Sequence, residues 1–324
     1  MKIDVQHATA DPDWVSEILS APALTRFARA AEESGYGALG FTDHPAPPAG
    51  WVRGGGEGSV DPFSALGFCA AVTSRIQLLT WVLVLGYRNP FLAAHQLASL
   101  DLMSGGRVLA GVGTGYIKGE FRALGMDPAA RREAFDEAVE VFRAVWSGGE
   151  VSRAGAGFEA RAVLPQPPPA RPGGPPLWVH GNSPWGTERA ACWADGWVVA
   201  MLPEPAARLI RTVPVTDPVA LAAGIDRMRT RTAELGRDPG SVEVVVTGNW
   251  PMLDVRRGWE AQRHLDDAAA LTELGVDRVV VVVCGDDPGA AEDTVRRFGE
   301  DVVAPLTAAG RSPVPAPADP GGRP

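Results

Sequence analysis

Apolar residues recur along this chain in two periods that alternate almost without interruption. Short runs, alternating or continuously apolar, have the length of buried strands. They are followed by stretches with apolar residues three and four apart, the spacing of one helix face. Lys2 to His7, Ala38 to Thr42, Ile76 to Leu85, Val108 to Val112, Leu177 to His180, Gly196 to Met201, Val242 to Asn249 and Arg278 to Cys284 read as strands. Helical patterns lie between them. Ala23 to Ser34 carries Leu24, Phe27, Ala28 and Ala31 on one stripe, and Arg131 to Ser147 carries Phe135, Val139, Phe142 and Trp146. Asp61-Pro62, Pro90 and the turn before Ala194 open others, as do Pro218, Gly258 and Pro288. Eight strands alternating with helices predict an α/β fold, a single (β/α)8 TIM barrel over residues 1–310. A doubly wound sheet is the alternative. Glu150 to Val163, alternating and broken by glycine, reads as a small hairpin insertion. The tail, 311–324, is rich in Pro, Ala and Gly and is expected to be disordered.

The fourth strand repays closer reading. Val108, Ala110, Val112 and Thr114 share one face, and Leu109, Gly111, Gly113 and Gly115 the other. The first face is expected to pack the barrel interior, with Thr114 as its last inward residue reaching a ligand. The glycine face leaves room for a covering helix or a ligand. A dinucleotide fingerprint is rejected, because Gly-x-Gly-x-x-Gly requires glycine where Tyr116 stands and the residues beyond it read as loop.

Composition narrows the function. A net charge of −9 argues against a nucleic acid or an anionic membrane surface as partner, since both require a basic face. The longest apolar run, Ile76 to Tyr87, is too short to span a bilayer. Met1 to Val5 lacks the layout of a signal peptide. Cys69, Cys192 and Cys284 are far apart and odd in number, so no disulfide framework or zinc spacing follows. A cytoplasmic protein is expected.

In a barrel the ligand site is built from the C-terminal ends of the strands. Here those ends carry His7, Asp43-His44, Trp81, Thr114, His180, Met201, Asn249-Trp250 and Cys284. Three of the five histidines fall among them, which points to a pocket. The glycine-rich loop from Trp51 to Gly58 is a candidate lid. No metal site is expected, because Gln6-His7-Ala8 and Cys284-Gly-Asp286 supply only an incomplete ligand set. Gly181-Asn182-Ser183-Pro184-Trp185-Gly186 precedes a helix, whose free amides form an anion site suited to phosphate. On the loop alone an ordinary N-cap turn is an equal explanation. Beside the other strand ends, it suggests a phosphate-bearing cofactor whose ring reaches Asp43-His44 and Trp81.

In their order and spacing, four segments resemble the bacterial luciferase-like oxidoreductases, flavin- or deazaflavin-dependent (β/α)8 enzymes. They are Gly40-Phe-Thr-Asp-His44; Arg75-Ile-Gln-Leu-Leu-Thr-Trp-Val82 with Tyr87-Arg-Asn-Pro90; Gly105 to Gly115; and Leu177-Trp-Val-His-Gly-Asn-Ser183 with Asp195-Gly-Trp197. The resemblance covers Lys2 to Gly299, and Asp43-His44 with Thr114-Gly115 is most similar to the coenzyme F420-dependent branch.

The resemblance implies specific roles. Trp81-Val82 matches a non-prolyl cis peptide that forms a bulge behind the cofactor ring. Asp43, Thr114 and Gly115 match cofactor-contacting positions; Gly181, Asn182 and Ser183, following His180, match the phosphate loop. One departure is that sugar-phosphate dehydrogenases of this branch place an acidic glutamate where this chain has Tyr116 and use lysines for the substrate phosphate, whereas here no lysine follows Lys118. A sugar phosphate is therefore not the expected substrate. Trp51, Trp81, Trp185 and Trp250, with few cations near the mouth, fit a small, uncharged, fairly apolar organic molecule. The expected activity is hydride transfer between F420 and that substrate. His44 would handle the accompanying proton with Asp43 holding its orientation, and Tyr116 is the alternative acid. An FMN-dependent monooxygenase supplied by a flavin reductase is the main alternative, and a non-catalytic flavin-binding protein the second. A homodimer is the expected assembly.

Overall fold

The apolar runs close, in a computed structural model of the chain, into one parallel barrel. The structure describes residues 1–7, 15–54, 56, 58–283 and 286–309; the tail after 310 and Cys284 lie outside them. The strands are β1 (Lys2–His7), β2 (Ala38–Phe41), β3 (Gln77–Val84), β4 (Val108–Gly113), β7 (Leu177–His180), β8 (Gly196–Ala200), β9 (Glu243–Thr247) and β10 (Arg278–Val283). Their order around the barrel is β1-β10-β9-β8-β7-β4-β3-β2, and β1 closes the ring by pairing with β2. The hairpin insertion is β5 (Val151–Gly155) and β6 (Phe158–Val163), an antiparallel pair outside the barrel.

Helix starts follow a common grammar. Asp61, Asn89, Ser183, Asp217 and Asp287 each accept a hydrogen bond from a backbone amide of the first turn, and each is followed by proline. The cap satisfies an orphan amide, and proline occupies a position where no amide is needed. Among the described residues, no helix is long and apolar enough to cross a membrane. Short helices Ala49–Arg53 and Lys118–Ala123 stand where loops were expected, and Glu204–Leu209 lies in a segment given no element. One to two turns are too short to display an apolar stripe, so periodicity does not reveal them.

Two apolar shells flank the strands. Outward residues such as Val5, Leu39, Val108, Ala110, Val112, Val179 and Val246 pack against the helices. Inward, Ala38, Leu79, Leu109, Trp178, Val198, Val245 and Val280 fill the barrel. This reverses the expected faces of β4: Leu109 and the glycines point in, and Val108, Ala110 and Val112 point out. Both faces of a barrel strand are buried, so apolarity alone does not distinguish them. At the floor, Arg278 makes a bidentate pair with Asp4 at 2.8 and 2.7 Å, donates to Gln77 at 3.1 Å and lies 4.9 Å from the Trp178 ring centroid. Gly196 is required here, since a Cβ would stand 2.4 Å from the Trp178 ring. A buried charge with this many partners seals the floor and leaves the opposite end for ligands.

His7 ends β1 between Phe27, at 4.7 Å edge-on, and Phe41, at 5.5 Å stacked. Burial lowers its pKa to about 4, so the folded protein holds it neutral. The unfolded chain binds a proton near pH 6.5 and the folded one only near 4, so His7 favours folding above that window and this contribution is lost as pH falls through it. Relative to His7→Gln, the wild type is expected to lose on the order of 2 kcal/mol of its stability difference between pH 7 and pH 4.5. Urea titrations at the two pH values measure this, and a pH-independent difference would refute the assignment.

Candidate active site at the barrel mouth

A cavity of about 450 Å³ opens at the C-terminal ends of the strands. Asp43, His44, Trp81, Val82, Thr114, Gly115, Tyr116, His180, Gly181 and Ser183 all line it, together with Gln6, Thr42, Trp51 and Thr247. Residues far apart in sequence thus meet in one place, as their positions at the strand ends require.

The inward glycines of β4 explain how the wall is built. A Cβ on Gly111 would stand 2.3 Å from the Thr80 carbonyl oxygen, and one on Gly113 would stand 2.7 Å from Val82 Cγ2. What presses on Gly111 and Gly113 is the neighbouring strand, and on Gly115 both that strand and Phe121 of the short helix Lys118–Ala123. In that strand the Trp81–Val82 peptide is cis, and the β3–β4 register shifts between Thr80 and Leu83. Thr80 Oγ1 donates to Gly111 O at 2.8 Å across this irregularity. The bulge directs Trp81 and Val82 to the cavity.

Asp43 and His44 are adjacent in sequence but belong to different networks. The Asp43 carboxylate accepts from both terminal nitrogens of Arg88, at 2.7 and 2.8 Å, and from the Val84 amide at 2.9 Å. Its charge is thereby neutralised at the cavity wall. The carboxylate beside His44 is Glu120, which the sequence reading missed. Glu120 is fully buried and lies 3.1 Å from His44 Nδ1; it accepts from the Tyr87 hydroxyl at 2.6 Å and from the Ala46 amide at 3.3 Å. Burial, and then the bond to Glu120, push the Tyr87 phenol well above its usual pKa, so it remains a donor. With Nδ1 held this way, Nε2 is the ring nitrogen left for a ligand. The His44 ring is 6.0 Å from Tyr116 and 6.4 Å from Trp51, which are themselves 5.7 Å apart. These three rings form an aromatic corner of the cavity.

The phosphate-loop candidates divide. Gly181, at φ 142°, and Ser183 line the cavity, and Ser183 Oγ caps the following helix by accepting from the Gly186 amide at 3.3 Å. Asn182 does not line it. Its side chain donates to Ala200 O and Val213 O, at 2.8 and 2.7 Å, and accepts from Ala200 N at 3.0 Å. It ties the loop after β7 to β8 and to the segment beyond. Burial lowers the His180 pKa to about 4, so the wall beside the loop carries a neutral imidazole.

Three expectations need correction. Trp250 is turned from the cavity: it packs 4.8 Å from His264 and 6.1 Å from Phe298, and its indole donates to Asp267. His7 does not line the cavity but packs between Phe27 and Phe41. The mouth is also not poor in cations, because Arg131, Arg132 and Arg211 line the cavity. They stand on a helix start and a loop rather than at strand ends, where the strand-end inventory does not look.

The mouth of a (β/α)8 barrel, a cis peptide after Trp81 and a hairpin insertion before β7 are now in place. The sequence model of the luciferase-like monooxygenase family matches residues 1–256. The chain belongs to this family. A phthiodiolone/phenolphthiodiolone dimycocerosates ketoreductase from Mycobacterium tuberculosis is 30% identical over 192 residues, 57% of this chain and 46% of that protein. The chain therefore spans about half the length of that relative. Among solved structures, the monooxygenase RslO1 from Streptomyces bottropensis superposes with a TM-score of 0.75 at 21% identity, covering 94% of this chain and all of that one. An F420-dependent secondary alcohol dehydrogenase, solved with an F420-acetone adduct, gives a TM-score of 0.72 at 18% identity, covering 93% of this chain and 99% of that one. At these identities the likeness is one of fold.

In this luciferase-like enzyme, Glu120 accepts from more than one donor through its two oxygens. Glu120→Gln preserves the shape but places an amide nitrogen against at least one of them. Urea unfolding is expected to show a loss of about 1–3 kcal/mol, the cost of an unsatisfied buried polar group. Unchanged stability would mean that the network does not hold in solution.

Proposed function

We propose that this luciferase-like enzyme is a coenzyme F420-dependent oxidoreductase that moves a hydride between the deazaflavin and an uncharged, fairly apolar organic substrate. The observation that carries the reading is His44, fixed through Nδ1 by Glu120 in the wall of a cavity that also holds the Trp81–Val82 bulge and the Gly181–Ser183 loop.

The residues present fit such a cofactor. Gly113 and Gly115 let Val82 and Val84 pack against β4, where a Cβ would stand 2.7 and 2.6 Å from them, and both glycines line the cavity with no side chain projecting into it. Trp81, Val82 and Thr114 would hold the ring, and Gly181 and Ser183, at a helix start, would receive the phosphate. When bound, the deazaflavin supplies hydride chemistry at C5. The chain contributes orientation, exclusion of water and proton handling. His44 Nε2 would give or take the proton that accompanies reduction or oxidation of the substrate, and Glu120 keeps the imidazole aimed. Tyr116 and Trp51 would cover the substrate beside it. A cationic substrate is disfavoured because the only carboxylate lining the cavity, among the described residues, is Asp43, which Arg88 neutralises. The aromatic corner at His44, Trp51 and Tyr116 suits an apolar one. The fold of the F420-dependent alcohol dehydrogenase is further support.

Parallel titrations with F420 and FMN test the cofactor. F420 is expected to bind and FMN to bind far more weakly; the reverse order would replace this reading with an FMN-dependent monooxygenase. For His44→Ala, turnover should fall about 10²–10⁴-fold with cofactor affinity little changed. Joint collapse of affinity and stability would make His44 scaffold and Tyr116 the better acid.

A further inference from the structure

Arg211 occupies a backbone position that favours glycine. Its φ is 56°, in the left-handed region, and only it and Ala162 are non-glycine residues there among the described residues. The cause is local: it follows the short helix Glu204–Leu209 at the turn where the Arg211 amide donates to Arg208 O and the Thr212 amide to Ala207 O. This is the helix-ending position that glycine normally fills, because it lacks the Cβ that crowds the backbone there. A strained non-glycine residue at a cavity is a reason to look for a function of its side chain.

The surroundings supply one. Arg211 lines the cavity, and its neighbour Thr212 accepts a hydrogen bond from the Asn182 amide at 3.3 Å, which places the segment against the Gly181–Ser183 loop. On another side of the same loop, Trp185 carries the Arg132 guanidinium 5.7 Å from its ring centroid. Arg131 also lines the cavity, held by a 2.9 Å bond from Nη1 to Pro128 O. None of these three arginines forms an ion pair with a described carboxylate. They converge on one cavity of a protein whose net charge is −9. The cavity is thus polarised, with an aromatic corner at His44, Trp51 and Tyr116 and cations flanking the loop.

We infer that Arg211, with Arg131 and Arg132, clamps the anionic end of a cofactor whose flat ring lies deeper in the cavity. The loop amides alone would meet a single phosphate. The arginines extend the site to further charge on the same tail, whether phosphate oxygens or carboxylates beyond them. The inference rests on the cavity being a flavin-type cofactor site, but not on which such cofactor it takes.

Because glycine is the unstrained residue at this turn, the clamp predicts opposite signs for stability and binding. Arg211→Gly should leave the thermal midpoint unchanged or raise it, while weakening binding of the anionic cofactor about 10-fold, the range for losing one charged hydrogen bond. The probes are F420 and FMN, each beside its core without the phosphate tail, 7,8-didemethyl-8-hydroxy-5-deazariboflavin and riboflavin. The cores should bind Arg211→Gly as they bind the wild type, and Arg211→Lys should recover part of the loss. Should the glycine variant be less stable, Arg211→Asn, which tolerates this backbone, provides the neutral comparison. Unchanged affinity for the anionic cofactor, or an equal loss for its core, overturns the clamp. Arg211-dependent binding of FMN alone keeps the clamp and removes the F420 reading; binding of neither cofactor removes both.

Discussion

A carboxylate out of reach of water needs donors, and at Glu120 the donors come from neighbouring loops of the barrel. His44 follows β2, Tyr87 follows β3, and Glu120 itself stands on the short helix after β4. Burying the group without these partners would cost several kcal/mol, so the three segments are held in one arrangement. Asp43 does the same one layer away, joining the end of β2 to Val84 and Arg88. The two carboxylates fix the wall from which His44 reaches the cavity. His44 is therefore positioned by scaffold chemistry rather than by the ligand it would serve, which is what preorganised proton transfer requires.

The rest of the barrel fits around that wall. Arg278 and Asp4 close the floor, so the open volume gathers at the mouth. The glycines of β4 admit the Trp81–Val82 bulge, and Ser183 caps the helix beside the loop that faces the cations. Reading along the cavity, the walls change from aromatic to cationic. A ligand with a flat head and a charged tail matches both parts, whereas a small apolar molecule alone would leave the arginines without a counterpart.

Much of this was legible in the sequence because strands are announced by apolar runs and helices by caps. Asp61-Pro62, Pro90 and Pro218 mark helix starts that the structure reproduces. The strand-end rule also brought Asp43, His44, Trp81, Thr114 and His180 together correctly at the cavity. It failed where the chemistry lies beyond the strand end. Glu120 stands seven residues after the end of β4, and its contacts to His44 and Tyr87 span 76 and 33 residues, which no local period encodes. The signal available was an acidic residue next to Phe121 and four residues after Tyr116, weak in isolation. The face of β4 was inverted because alternation defines two faces without naming the inner one. Arg211 was invisible for a further reason, since a left-handed arginine is a property of the backbone and not of composition.

In the proposed function and inference, the barrel mouth seats a deazaflavin with its ring beside His44 and its charged tail among the arginines. A crystal structure of the F420 complex is the decisive measurement. The ring is expected against Trp81 and Val82 within hydrogen-bond reach of His44 Nε2, and the phosphate at Gly181–Ser183 with Arg211 turned toward the tail. A ring bound away from His44, or a tail leaving the cavity without meeting the Gly181–Ser183 loop, would rule this arrangement out.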